Sequence, residues 1–351
     1  MIDVSDVKLG KIVIHKVGNK MRDEGYTLSK SNLELEDDFI KELLLKYFLI
    51  PFKGQTFYKF NHETDIYLNE VYIYSKKVFT DLTNFYDESV NILKHLYNQS
   101  THPNIKAGEF YLVYLRDCIV DNIRTDAIGI FKSENKDTYL KVLNSQDKFN
   151  VEHEKGINIK KLDKGCLIFN IDSENGYKVS VVDNSNNEAV FWKDDFLNLS
   201  VVENDYHHTE TYLKICNDFC DDVYAPIYNA SKKDIVQLKR KAIEYFTENE
   251  EFDEEKFVVE VLNEAECIEH FGDYKKNYEI NNNLNSINTF SISNEAVKKV
   301  KKKFKSTINL DDNFQIKLNK QTDFENSLLI EKGFDEQKGM SFYKVYFVNE
   351  K

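Results

Sequence analysis

Proline and glycine are scarce in this sequence of 351 residues, with three and 12 occurrences. So little of either argues against a collagen-like or low-complexity chain. Long apolar runs are also missing, since none approaches the roughly 20 residues that a membrane-spanning helix needs. The first residues, Met1–Asp6, lack the basic end and the apolar run of a signal peptide. We therefore expect a cytoplasmic location.

Cysteine and arginine are also in short supply. The five cysteines are odd in number and mostly far apart, which favours free thiols in a reducing compartment. Arginine occurs only four times, as Arg22, Arg116, Arg124 and Arg240. Bidentate reading of guanine favours arginine, whereas lysine is a point charge suited to phosphates. Any contact with DNA is therefore expected to involve the backbone rather than the bases.

Carboxylates outnumber basic side chains by 60 to 47, which leaves a net charge of −13. A chain with this charge is repelled by phosphate at long range, so binding to nucleic acid would need a local basic patch. Hydrophobic residues make up 41% of the sequence and aromatic residues 13%, which is enough for a folded core and excludes wholesale disorder.

Helical and strand periodicities follow one another in blocks. Residues 8–17 read as a strand, Leu33–Leu49 as a helix that ends before Pro51, and Leu68–Tyr97 as two helices. Short β-branched and aromatic runs fill the middle, and Asp172–Gly176 reads as the loop of a hairpin. This order predicts an α+β fold with an N-terminal mixed domain of helices and an antiparallel-rich sheet.

The second half is predicted to be mainly helical, over residues 205–224, 231–248 and 254–278. A stretch rich in Asn and Ser at about 281–289 reads as a linker. A further helix from Ser293 to about Lys305 precedes a small three-stranded β-meander, predicted at 307–318, 326–331 and 341–348. We expect two domains, residues 1–203 and 204–351.

The sequence motifs of common enzymes are missing: a GxGxxG turn after a strand, the Walker lysine loop, HExxH and GxSxG. Asp126 and Lys132 lie on one predicted strand, which invites comparison with restriction-type nucleases. Such enzymes need a metal-binding carboxylate two residues before the lysine, and Ile130 stands there. We expect no enzymatic activity and no cofactor, and a phosphodiester-cleaving enzyme is the remote alternative.

Two histidines and two cysteines, His207, His208, Cys216 and Cys220, resemble a set of zinc ligands. Their spacing matches no common structural zinc pattern. Cys216 and Cys220 also share one helix face with Leu213, which is the usual place for small buried side chains. We therefore predict no metal site.

A lysine-rich helix is the one segment in which positive charge is concentrated. Ser293 is a plausible N-cap, and Val297, Val300 and Phe304 form an apolar stripe. Helical spacing places most of the lysines on the opposite side, so that they form a basic face. The candidate DNA-binding residues are Lys298, Lys299, Lys301, Lys302, Lys303 and Lys305. A solvated helix face without a ligand is the alternative interpretation.

Several segments together resemble one protein family. They are His102–Glu109, Asp126–Glu134, Gly156–Cys166, Phe191–Leu197, the lysine-rich helix and the run Phe342–Phe347. In their residue patterns and in their order along the chain, these segments are similar to the bacterial nucleoid-associated (NdpA-like) proteins, and the resemblance covers nearly the whole chain. The resemblance implies a cytoplasmic protein that associates with the bacterial chromosome, and it supplies no catalytic residues.

The favoured function is therefore that of a nucleoid-associated protein. It would bind the backbone of chromosomal DNA, without sequence preference, through its C-terminal lysine-rich helix. An acidic adaptor that docks on other nucleoid proteins without touching DNA is the alternative. No membrane partner is expected, and self-association into a homo-oligomer is left open.

Overall fold

The computed structural model describes residues 2–52, 56–145, 148–184, 191–282, 284–303, 307–310, 314–317 and 330–346. The chain divides into two compact units, residues 1–202 (unit 1) and 203–351 (unit 2). Within the described ranges, no helix combines the length and the apolar character needed to cross a membrane.

Unit 1 combines strands with three helices of three or four turns. Its strands are β1 Ile2–Asp3, β2 Lys8–Val17, β3 Tyr26–Thr27, β4 Tyr58–Phe60, β5 Gly108–Val120, β6 Ile123–Ser133, β7 Asp137–Ser145, β8 Lys148–Gly156, β9 Lys164–Phe169, β10 Lys178–Asp183 and β11 Leu199–Val201. Its helices are α1 Asp38–Leu49, α2 Glu70–Thr80 and α3 Phe85–Gln99, and a π-helical turn spans Phe191–Phe196.

An antiparallel sheet is the centre of unit 1. Its strand order is β11-β4-β10-β9-β6-β5-β2-β3, and β1 pairs with β5. Side chains alternate between the two faces, and both faces are buried. Ile128 and Ile130 of β6 pack in the same core as Leu93 and Leu96 of α3, whereas Phe131 stacks on Phe48 of α1 at a ring-centroid distance of 4.3 Å. Burial on both faces explains why the central strands read as nearly continuous apolar runs.

The α+β class predicted from the sequence is confirmed, and so are several of its elements. The strand at 8–17 forms as predicted, and the helical stretch predicted at 68–97 forms the two helices α2 and α3, the second of which continues to Gln99. Strands β9 and β10 form the predicted hairpin, with Gly176 at a φ of +100° in its loop. A side chain at Gly176 would be strained in that left-handed conformation, which explains the glycine. The predicted helix at 33–49 begins later, at Asp38, because Asp37 caps it.

Unit 2 is mainly helical. Its helices are α4 Asp205–Phe219, α5 Ala225–Ile227, α6 Lys232–Glu248, α7 Glu254–Phe257, α8 Ala265–Asn281 and α9 Asn294–Lys303, with π-helical turns at Cys220–Tyr224 and Val258–Leu262. Its strands are β12 Glu251–Asp253, β13 Thr289–Ser291, β14 Thr307–Leu310, β15 Phe314–Lys317, β16 Ile330–Asp335 and β17 Met340–Val345. Aromatic rings fill its core: the Tyr212 ring lies 4.2 Å from that of Phe252 and 5.3 Å from that of Phe257.

Two features of unit 2 differ from the sequence prediction. The helix predicted at 254–278 is divided, because Asn263 has a left-handed φ of 62° between the π-helical turn and α8. Strands β12 and β13 pair with each other, although no strand was predicted in either place: β12 lies between two predicted helices, and β13 begins where the predicted linker ends. Their pairing joins segments almost 40 residues apart, and local periodicity contains no information on such contacts.

The C-terminal strands pair two by two among the residues that the structure describes, β14 with β15 and β16 with β17. The run 307–318, predicted as one strand, therefore contains two strands. Asp311-Asp312-Asn313 lies between them in the sequence, and these residue types are depleted in strands.

Candidate nucleic-acid interface

Helix α9 begins where its capping residue predicts. The Ser293 hydroxyl accepts a hydrogen bond from the backbone N–H of Ala296 (3.4 Å), and the Ser293 carbonyl accepts one from Val297 (3.1 Å). The Ser293 N–H donates to the Thr209 hydroxyl of α4 (3.0 Å). The start of α9 is thus attached to the neighbouring helix, which fixes the direction in which its side chains project.

The apolar side of α9 is buried against α4 and α6. Ala296 is fully buried, and Val297 and Val300 are 4% and 9% exposed within the core of unit 2. This confirms the predicted stripe for its first two members, whereas Phe304 lies outside the described residues. Burial of this side leaves the opposite side of the helix to the lysines.

Three of the candidate lysines, Lys298, Lys301 and Lys302, are exposed on that opposite side. Their positions at i, i+3 and i+4 make them neighbours on one helix face. The side chain of Lys303 and the whole of Lys305 lie outside the described part of the chain. The exposed row therefore consists of three lysines whose ammonium groups face solvent.

Lys299 has a different environment from the exposed row. It is half-buried, and its Nζ lies 2.8 Å from Glu210 Oε1 of α4 and 5.5 Å from the centre of the Tyr206 ring. Burial disfavours the charged form, but the hydrogen bonds to Glu210 and Tyr206 outweigh it and raise the pKa of Lys299. Its charge is neutralised within unit 2, so it contributes less to an external anion than the exposed lysines do.

The four segments of unit 1 that carry the family resemblance meet at one end of its sheet. The Lys132 ammonium donates to the Lys106 carbonyl and to Glu134 Oε1, each at 2.7 Å. Asp163 accepts hydrogen bonds from the backbone N–H groups of Glu134 (2.6 Å) and Asn135 (3.0 Å). These contacts join the first three segments, His102–Glu109, Asp126–Glu134 and Gly156–Cys166, and the Lys132 and Glu134 side chains are buried.

The fourth segment joins them through tryptophan. The Trp192 indole N–H donates to the Gly165 carbonyl at 3.3 Å. Next to Gly165, Lys164 is fully buried and its Nζ lies 3.1 Å from Asp183 Oδ1. Lys164 is also the register partner of Lys132 on the adjacent strand. Two buried lysines thus lie side by side, each with a carboxylate partner, as buried charges require.

The sequence analysis did not predict that Lys132 and Lys164 are buried next to each other, although the sequence contains a signal for it. With a strand period of two, Lys132 follows Ile128 and Ile130 on one face of β6, and Lys164 precedes Cys166 and Ile168 on one face of β9. A lysine at the end of an apolar face is ordinarily interpreted as a solvated strand end. Only the pairing of β6 with β9 brings the two together in the interior.

The nuclease interpretation gains no support from this geometry. Asp126 and Lys132 lie six residues apart on β6, which corresponds to roughly 20 Å. The Asp126 carboxylate accepts a hydrogen bond from the Tyr114 hydroxyl at 2.7 Å, and Lys132 is held by Glu134. The two side chains therefore cannot act on one phosphodiester.

The two histidines and Cys216 lie on α4 and Cys220 begins the π-helical turn that follows it, and the histidines and cysteines have different surroundings. Cys216 and Cys220 are buried in the core of unit 2, and burial raises the pKa of the Cys220 thiol to about 12. His207 and His208 line a shallow pocket, and burial lowers the pKa of both. Within the described part of the chain, no group of three His, Cys, Asp or Glu side chains is arranged to hold a metal ion. All five cysteines are buried and form no disulfide.

Residues 13–338 match the protein family described as nucleoid-associated protein YejK. No curated protein matches the chain.

Proposed function

Because the chain belongs to the family of nucleoid-associated protein YejK, we propose that it associates with chromosomal DNA, in the cytoplasm and without preference for base sequence, through the lysines of α9. The observation that carries this proposal is the exposed row Lys298, Lys301 and Lys302 in a chain whose net charge is −13. Lysines that reach phosphates position a protein on the duplex but carry no base information.

The strength of this contact follows from the number of phosphates that the row can neutralise. Three exposed lysines correspond to a slope of log K against log salt of about −2.7, at about −0.9 for each phosphate. A fourth, Lys305, would make it about −3.6. Affinity should then fall roughly 40-fold between about 50 mM and 200 mM salt for three phosphates.

Charge reversal on α9 tests the proposal. In the full chain, Lys298→Glu, Lys301→Glu and Lys302→Glu together should abolish binding to duplex DNA in a fluorescence anisotropy titration. The helix should still form, because the substituted residues are exposed whereas Ala296, Val297 and Val300 pack on the other side. Two unrelated duplex sequences should bind the parent with similar affinity.

The matched control reverses three exposed lysines elsewhere, Lys30, Lys59 and Lys276. Both triple variants change the net charge equally, so a long-range electrostatic effect would weaken both. Only a local interface would make the α9 variant lose binding while the control retains it. Equal binding by both variants would contradict the proposal and favour the acidic adaptor, which docks on other nucleoid proteins without touching DNA.

A further inference from the structure

One face of helix α4 holds the start of α9. Tyr206, Thr209 and Glu210 are spaced at i, i+3 and i+4, so they are neighbours on the surface of α4. The Thr209 hydroxyl accepts a hydrogen bond from the Ser293 N–H at 3.0 Å. Tyr206 and Glu210 both contact Lys299. This face of α4 therefore fixes the capping residue of α9 and one of its lysines.

Lys299 lies at the edge of the basic face of α9. It comes three residues before Lys302, which places it about 60° away around the helix axis. The stem of a lysine is long and flexible, so its ammonium group can turn toward α4 or toward the exposed row. It turns toward α4, where Nζ lies 2.8 Å from Glu210 Oε1, although the Lys299 side chain is still 38% exposed. A phosphate next to the exposed row could therefore compete with Glu210 for this ammonium group.

We propose that Glu210 limits the affinity of α9 for DNA by holding Lys299 away from the phosphates. This inference rests on the proposed function and names the residue that regulates its strength. Glu210 belongs to the same chain as Lys299, so their pairing does not carry the entropic cost that binding a separate molecule does. Lys299 therefore stays with Glu210 while the exposed row binds the DNA backbone.

The position of α9 does not depend on this ion pair. Ala296, Val297 and Val300 are buried against the rest of unit 2, and the hydrogen bond from Ser293 to Thr209 holds the first turn. A partly exposed ion pair adds little to stability by comparison. Removal of the Glu210 charge should therefore release Lys299 without moving the helix.

Replacement of Glu210 by glutamine tests the proposal in the full chain. The amide has almost the same shape and no charge, so Lys299 can leave it for a phosphate. In fluorescence anisotropy titrations with duplex DNA, the slope of log K against log salt should change from about −2.7 to about −3.6, because one more phosphate is neutralised. The gain in affinity over the parent should grow about 3.5-fold as salt falls from about 200 mM to about 50 mM.

Two further variants separate the release of Lys299 from the simple loss of a negative charge. Glu269→Gln removes an exposed carboxylate of α8 and changes the net charge by the same amount, so the slope should stay at the parent value. Glu210→Gln with Lys299→Gln removes both partners, and the slope should return to the parent value because no lysine is released. Circular dichroism should match the parent in all variants, which excludes a loss of fold as the cause of a change.

Two outcomes would overturn the proposal while the parent binds DNA with a slope of about −2.7. Glu210→Gln could keep that slope, which would mean that Lys299 is not held back. The steeper slope could also persist in the double variant, which would assign the gain to the charge of Glu210 alone. A parent that does not bind DNA would be a different result, because it would refute the proposed function and the role of Glu210 together.

Discussion

Replacement of Lys132 by methionine should destabilise unit 1 more than any surface substitution of lysine. The Lys132 and Glu134 side chains are 0% and 3% exposed, with Nζ and Oε1 2.7 Å apart. Methionine fills a similar volume but leaves Glu134 without its ion-pair partner and the Lys106 carbonyl without this donor. Removal of one partner of a buried pair costs about 3–5 kcal/mol, because the other charge stays buried without compensation.

Urea unfolding followed by tryptophan fluorescence measures this loss. Trp192 is the only tryptophan of the chain, and it is fully buried in unit 1 beside Gly165, so its emission reports on that unit. With an m-value of about 2 kcal/mol per molar urea, a loss of about 3–5 kcal/mol lowers the midpoint by roughly 2 M. The m-value should stay the same if only stability changes.

Two companion variants make the reasoning refutable. Lys46→Met removes an exposed pair with Glu42, whose side chains are 53% and 60% exposed, and should cost less than about 1 kcal/mol. Lys132→Met with Glu134→Gln removes both charges and should be more stable than Lys132→Met alone. If Lys132→Met shifts the midpoint no more than Lys46→Met, the buried pair is not a significant source of stability and the argument fails.

Two further predictions concern pH and catalysis. Burial lowers the pKa of His15 to about 4, and its Nδ1 accepts the Ser29 N–H at 3.0 Å, so the folded state holds the ring neutral. The unfolded chain takes up this proton near pH 6.5, so stability should fall by up to about 3 kcal/mol between pH 6.5 and 4. His15→Gln should lose less stability than the parent over that range, and an equal loss would assign the pH dependence to other groups. Supercoiled plasmid incubated with the protein and Mg²⁺ or Mn²⁺ should remain intact, and nicking that disappears in Asp126→Asn would revive the nuclease interpretation.

Local sequence patterns were sufficient for elements whose stability depends on neighbours in the chain. The period of two predicted β2, the apolar stripes predicted α2 and α3, and Ser293 predicted the start of α9. These features arise from backbone geometry and capping hydrogen bonds within a few residues, so they can be read before the fold is known. The same holds for the row Lys298, Lys301 and Lys302, whose common face follows from the helical repeat.

Contacts between distant segments were decided by the tertiary structure. No local pattern predicts that Glu210 neutralises Lys299, because α4 and α9 are separated by about eighty residues until they pack together. The burial of Lys132 beside Lys164 likewise depends on the pairing of β6 with β9. Along β7 and β8, alternation identifies an apolar side but not what covers it. Periodicity determines which side chains share a face, whereas the packing of remote elements determines whether that face meets core or solvent.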